Sequence, residues 1–145
     1  MRIFVYGTLK RGYALHDAYL RDCPLVGIAT VTGFALTGIG IPYLRPAEGC
    51  TVAGEVYEVN DPDLIRALDR VEGAYDRQKH PVYYTGGRGG RGMAWMYVAR
   101  HGFVTDHTFS KKWLRDDGIF DYNEPSAQLR LDSERALRYR GLLEE

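Results

Sequence analysis

The chain opens on a near-continuous apolar run, Ile3, Phe4, Val5 and Tyr6, which predicts a short buried strand over Met1–Tyr6. Gly7 stops it, and Gly7–Gly12 reads as a turn rich in small and basic residues. A short helix is expected at about Leu15–Arg21. The next stretch, Leu25–Leu36, is rich in Val, Ile, Thr and Phe but broken at Gly27 and Gly33, the pattern of a strand with a bulge or bend. Gly38–Gly49 carries Pro42 and Pro46 and reads as loop or edge strand. Val52–Val59 is a further strand. Asp61 and Pro62 suit a helix start, because aspartate caps free N–H groups and proline fits the first helical position. Leu64, Ile65, Leu68 and Val71 then recur at helical spacing up to about Glu72, where Gly73 ends the helix. Strands over Asp76–Thr85 and Met93–Arg100 flank a turn at Gly86–Gly92 and form a hairpin. Ser133–Glu144 reads as a terminal helix, capped by Ser133. This order predicts an α+β fold, a small mixed β-barrel or strongly curved sheet with flanking helices.

Composition narrows the picture. The 145 residues suit a single domain over 1–145, and neither a repeat nor a linker divides them. Lys+Arg and Asp+Glu balance at 19 each, so net charge supports no general attraction to nucleic acid or acidic membranes. No segment approaches the roughly 18–20 apolar residues of a membrane helix, and MRIFVYGTLKRG is not a signal peptide. A cytoplasmic location is expected. Cys23 and Cys50 form no CxxC motif and have no zinc-type His/Cys spacing, so no metal site is expected; a single disulfide is open to them, and two buried free thiols are the plainer reading.

Two places could carry chemistry. Glu72 lies four residues after Leu68 and seven after Ile65, on the apolar face of its helix or at the border of that face. Glutamate is rarely buried without a partner or a task. Partial burial and the negative end of the helix dipole both raise a carboxylate pKa, as a general base working near neutrality requires. From helix geometry alone, an exposed last-turn glutamate is the plainer reading. The second place is Tyr6-Gly7-Thr8-Leu9. A glycine turn after a buried strand can aim consecutive N–H groups at a carboxylate or an oxyanion, with Lys10 and Arg11 close by, although a plain β-turn is the simpler reading. The Gly-rich stretch Thr85–Gly92 matches a dinucleotide fingerprint formally. A strand follows it rather than a helix, so it reads as a hairpin loop. His16, His80, His101 and His107 show no ligand spacing and read as surface or structural residues. Phe109–Trp113 either lays an aromatic near the pocket or closes the core.

Taken in order, MRIFVYGTLK, GEVYEV, LDRVEGAYDR and AWMYV resemble the γ-glutamylcyclotransferase-like (AIG2-like) family over roughly Met1–Trp113, and its γ-glutamylamine cyclotransferase type. The resemblance implies a compact barrel whose pocket lies between the YGTL turn and the glutamate. Tyr6, Gly7, Thr8 and Leu9 would bind substrate, Tyr97 would contact it, and Glu72 would be the acid/base. It implies a small γ-glutamyl substrate and neither a metal nor an organic cofactor. The turn lacks the aromatic extension of the glutathione-degrading branch, which argues for a γ-glutamyl-amine rather than glutathione. Residues 116–145 form a C-terminal extension that the resemblance does not explain. It could cover the pocket, form a dimer contact or bind a partner. Two other readings are a non-catalytic binding module on the same fold and an RNA-binding module using Arg88 and Arg91.

Overall fold

The computed structural model describes residues 1–13, 15–38, 40–73, 75–86, 89–100 and 108–124. Strand β1 (Arg2–Val5) is apolar at consecutive positions because both of its faces are buried. Phe4 points into one core and Ile3 and Val5 into another. β2 (Leu25–Thr37) and β3 (Tyr43–Glu58) form a long antiparallel hairpin. β4 (Tyr75–Tyr84) and β5 (Arg91–Ala99) form the second hairpin. The strands close in the order β1-β3-β2-β4-β5 into a mixed barrel, in which β1 runs parallel to β5 and every other pairing is antiparallel.

Bulges expected at Gly27 and Gly33 are present: the β2–β3 register shifts between Leu25 and Gly27 and between Thr32 and Phe34. From Tyr43 onward the stretch read as loop or edge strand is the first part of β3, a single 16-residue strand; this part pairs with β2 alone, because β1 meets β3 only at Glu55–Glu58. Pro46 is tolerated there because it faces Phe34 beside the register shift, where the ladder is already interrupted. The short helix is a π-helical turn at His16–Leu20.

The barrel interior holds Phe4, Val31, Val52, Val56, Met96 and Val98 among its residues. The second core lies outside the barrel wall, where α1 (Pro62–Val71) covers Ile3, Val5 and Tyr57 with Leu68 and, at its edge, Leu64, Ile65 and Val71. Helix α1 starts as its sequence dictates: the Asp61 carboxylate accepts the Asp63 N–H at 2.9 Å, and Pro62 follows it. Trp113, Phe120 and Tyr122 close the barrel interior, so the aromatic of Phe109–Trp113 serves the core and not the pocket. Cys23 and Cys50 are free and half-buried rather than buried, one against each core. No helix among the described residues is long and apolar enough to cross a membrane. The helix expected at Ser133–Glu144, Arg88, and the histidines at 101 and 107 lie outside the described residues.

Candidate active site

Immediately after β1, Tyr6 is buried, 7 % exposed. The Tyr6 hydroxyl donates to the Tyr97 carbonyl at 2.6 Å, which ties the end of β1 to β5. Burial pushes its phenol pKa well above the usual value, and the charge of Glu72 pushes in the same direction. The chain then turns through Gly7-Thr8-Leu9-Lys10, closed by the Lys10 N–H on the Gly7 carbonyl at 3.0 Å. Gly7 is there because the loop joining β2 to β3 passes directly above it: a Cβ on Gly7 would sit 2.6 Å from Pro42 Cγ. The Leu9 carbonyl lies 3.1 Å from Nδ1 of buried His16, whose ring packs on Tyr57. His16 is thus the structural histidine expected of it, and it steadies the turn.

Helix α1 delivers Glu72 to the same place. Glu72 is its C-terminal cap, half-buried, with its N–H on the Leu68 carbonyl at 2.9 Å. The Tyr75 N–H returns to the Glu72 carbonyl at 3.0 Å, a tight turn after which Tyr75 lines the same cavity as Glu72. Tyr75 stacks on Tyr43 at 5.6 Å between centroids and donates its hydroxyl to the Pro42 carbonyl at 2.9 Å. From β5, Tyr97 donates to Asp69 at 2.8 Å, and Arg77 stands 3.4 Å from the same carboxylate. Burial, then the bond to Asp69, lifts the Tyr97 phenol far above its usual range. Both Tyr6 and Tyr97 are therefore neutral hydrogen-bond donors at any physiological pH.

These residues enclose a cavity of about 200 Å³. That is below the roughly 300–1,000 Å³ of drug-sized pockets and suits a small ligand. Glu72, Tyr6, Gly7, Thr8, Leu9 and Tyr97, the six residues singled out from sequence, all line it. Sequence reasoning missed Ile41, Pro42, Tyr43 and Tyr75, which line it too. For Tyr75 a signal existed, three positions past Glu72 across a glycine. For Ile41-Pro42-Tyr43 the flanking glycines signalled only a loop. Arg91 begins β5, exposed and away from the cavity, at the end of the Gly-rich turn. Among the described residues, no group of three or more His, Cys, Asp or Glu is placed to hold a metal ion.

Residues 3–115 match the profile of the family described as gamma-glutamyl cyclotransferase, AIG2-like. A rat gamma-glutamylaminecyclotransferase is 45% identical over 83 residues, 49% of this chain and 54% of its own, so the chain spans about half the length of that relative. The bovine gamma-glutamylaminecyclotransferase is 32% identical over 133 residues, 83% of this chain and 74% of its own. The crystal structure of a mouse AIG2-like protein superposes with a TM-score of 0.58 at 29% identity, covering 85% of this chain and 95% of that one. With its five-stranded barrel and a profile match over 3–115, the chain belongs to the gamma-glutamyl cyclotransferase, AIG2-like family.

Proposed function

We propose that this protein is a γ-glutamyl-amine cyclotransferase that releases 5-oxoproline and a free amine, with Glu72 as general acid/base. The observation that carries the reading is the convergence of the Glu72 carboxylate segment and the Tyr6–Leu9 turn on one small cavity. Family membership and the names of the rat and bovine relatives support it. The amine class of leaving group, such as a γ-glutamyl amino acid or an isopeptide γ-glutamyl-lysine, rests on those names. It also rests on the short turn, which continues as Leu9-Lys10-Arg11. We place the enzyme in the cytoplasm, a compartment that keeps thiols such as Cys23 and Cys50 reduced.

In the proposed reaction, the substrate α-ammonium releases one proton to solvent, and Glu72 takes a second from the same nitrogen as it attacks. The freed amine attacks the side-chain carbonyl carbon, a new C–N bond forms, and the carbonyl electrons move onto oxygen. The Gly7–Leu9 turn lines the cavity, and its N–H groups would hold that oxyanion or the α-carboxylate. Collapse of the intermediate breaks the old C–N bond, and protonated Glu72 returns its proton to the departing amine. Both reacting groups belong to one molecule, so holding the chain bent can supply on the order of 7–11 kcal/mol of the barrier. The neutral phenols of Tyr6 and Tyr97 add no competing negative charge.

The test is 5-oxoproline release, read by mass spectrometry, from a panel of γ-glutamyl-amines with wild-type protein and Glu72→Gln. Turnover in the variant is expected to fall on the order of 10²- to 10⁴-fold. Wild-type turnover in Glu72→Gln would remove Glu72 from the mechanism. No release from any substrate would sink the cyclotransferase reading and favour a binding role.

A further inference from the structure

The segment Ile119–Glu124 lies beyond the residues matched by the family profile, yet it reaches both loops that wall the cavity. Its base is fixed on the barrel. The Phe120 N–H donates to Thr51 O at 2.9 Å and the Ala53 N–H donates to Phe120 O at 2.8 Å. The Asp121 N–H donates to Trp113 O at 2.7 Å. The rings of Phe120 and Tyr122 are buried in the barrel interior.

Two polar arms extend from that base. Lys10, the last residue of the Gly7–Lys10 turn, is only 9 % exposed, and a lysine so buried is costly unless its charge is met. Its Nζ donates to Asp121 Oδ1 at 2.7 Å and to the Tyr122 carbonyl at 2.8 Å. Arg115 holds the other Asp121 oxygen at 3.7 Å, so the carboxylate is steadied from behind. On the opposite wall, the Tyr122 hydroxyl donates to the Gly40 carbonyl at 2.5 Å, immediately before the cavity residues Ile41 and Pro42. Ser110 Oγ holds the Gly38 carbonyl of the same loop. The neighbours Asp121 and Tyr122 thus grip both walls at once.

We propose that residues 119–124 form a positioning strap that sets the distance between the Gly7–Leu9 turn and the Gly40–Pro42 loop, with Lys10 and Tyr122 as positioning residues for the reaction proposed above. The inference rests on that reading for its substrate, but its geometry can be tested apart from turnover. Lys10→Met keeps the length of the side chain and removes its charge. Tyr122→Phe keeps the ring packed on Tyr13 and Trp113 and removes only the hydroxyl. Amide hydrogen exchange should quicken at 7–10 and at 40, 41 and 43 in both variants, while the β4–β5 hairpin keeps its protection. The kcat/KM for 5-oxoproline release should fall on the order of 10- to 100-fold, as it does when reacting groups are misplaced by about 1 Å. Lys10→Arg, which keeps the charge, should recover part of that loss. Arg66→Ala, on the exposed side of α1, should behave as wild type. Unchanged loop exchange in both variants would overturn the strap. Faster exchange with kcat/KM within twofold of wild type would overturn its positioning role. If Lys10→Met fails to fold, Tyr122→Phe decides. A wild-type protein that releases no 5-oxoproline sinks the cyclotransferase reading alone, and the exchange data still decide whether the strap sets the loops.

Discussion

Gly7→Ala tests whether the cavity is shaped by close approach of the Pro42 loop to the turn. The added Cβ would lie 2.6 Å from Pro42 Cγ. Carbon atoms pack best at about 3.5–4.0 Å, so the overlap is close to 1 Å. Backbone strain plays no part, because Gly7 is not among the positive-φ residues. The cost therefore comes from the clash alone. Pro42 cannot rotate a ring atom out of the way, and its carbonyl is held by the Tyr75 hydroxyl. Overpacking of this kind costs about 1–3 kcal/mol. For a chain of this size that corresponds to a fall in Tm of roughly 3–12 °C. Activity should suffer as well, since Pro42 walls the cavity and a 1 Å displacement can cost on the order of 10²-fold. The control is built into the geometry: Pro42 Cβ would be 3.9 Å from the new methyl, an ordinary contact. Pro42→Ala alone should cost up to about 1 kcal/mol through the freer unfolded chain. In the Gly7→Ala/Pro42→Ala double variant, the clash term should vanish. Thermal unfolding and 5-oxoproline release on the four proteins give the cycle. Additive losses, or a single Gly7→Ala variant with wild-type Tm and turnover, would refute the close-approach reasoning.

Tyr6→Phe deletes the hydroxyl that reaches the Tyr97 carbonyl and should destabilise the protein by roughly 1–3 kcal/mol, read as a lower urea midpoint with an unchanged slope. Alkaline pH should weaken the fold. Burial raises the folded-state pKa of Tyr6 and Tyr97 above the ordinary 10.0, so the unfolded chain loses those protons first and stability falls as pH rises above about 10. Unfolding at pH 9 to 11.5 should show that decline, and the decline should be shallower in Tyr6→Phe; a flat profile would contradict the burial of both phenols.

Much of the fold was legible where one residue's pattern reports its own surroundings. The unbroken apolar run of β1 marked a buried strand, Asp61-Pro62 marked the start of α1, and Gly27 and Gly33 marked register shifts. At Glu72 helix geometry alone favoured a plain last-turn glutamate, and the resemblance carried by LDRVEGAYDR singled it out. What stayed hidden depends on partners distant in sequence. Pro46 left loop and edge strand open, and only its pairing with Phe34 beside the β2 bulge decides between them. Pro42 becomes a cavity wall only because the β2–β3 loop folds over Gly7. The acidic, tyrosine-bearing stretch after Asp116 carried no periodicity, since Phe120 and Tyr122 plug the barrel as single residues rather than as a face of an element.

The placement of Glu72 leads to a further expectation for the Glu72→Gln variant. A helix ends in unpaired carbonyls with partial negative charge, so a carboxylate at that end is unfavourable by about 0.3–1 kcal/mol where a neutral residue is not. Glu72 occupies that cap, half-buried and beside two buried phenols whose protons its charge helps retain. The apolar contacts of α1 come from Leu68 and the half-buried Leu64, Ile65 and Val71. If the carboxylate is kept for chemistry, replacing it with an amide of the same shape should relieve the fold while stopping the reaction. Glu72→Gln should therefore unfold at or above the wild-type Tm at pH 7 even as 5-oxoproline release collapses, the opposition expected of a residue retained for function at some expense of stability. A variant that loses both stability and turnover would identify Glu72 as a structural cap whose removal damages the cavity, and its loss of turnover would then say nothing about acid/base chemistry.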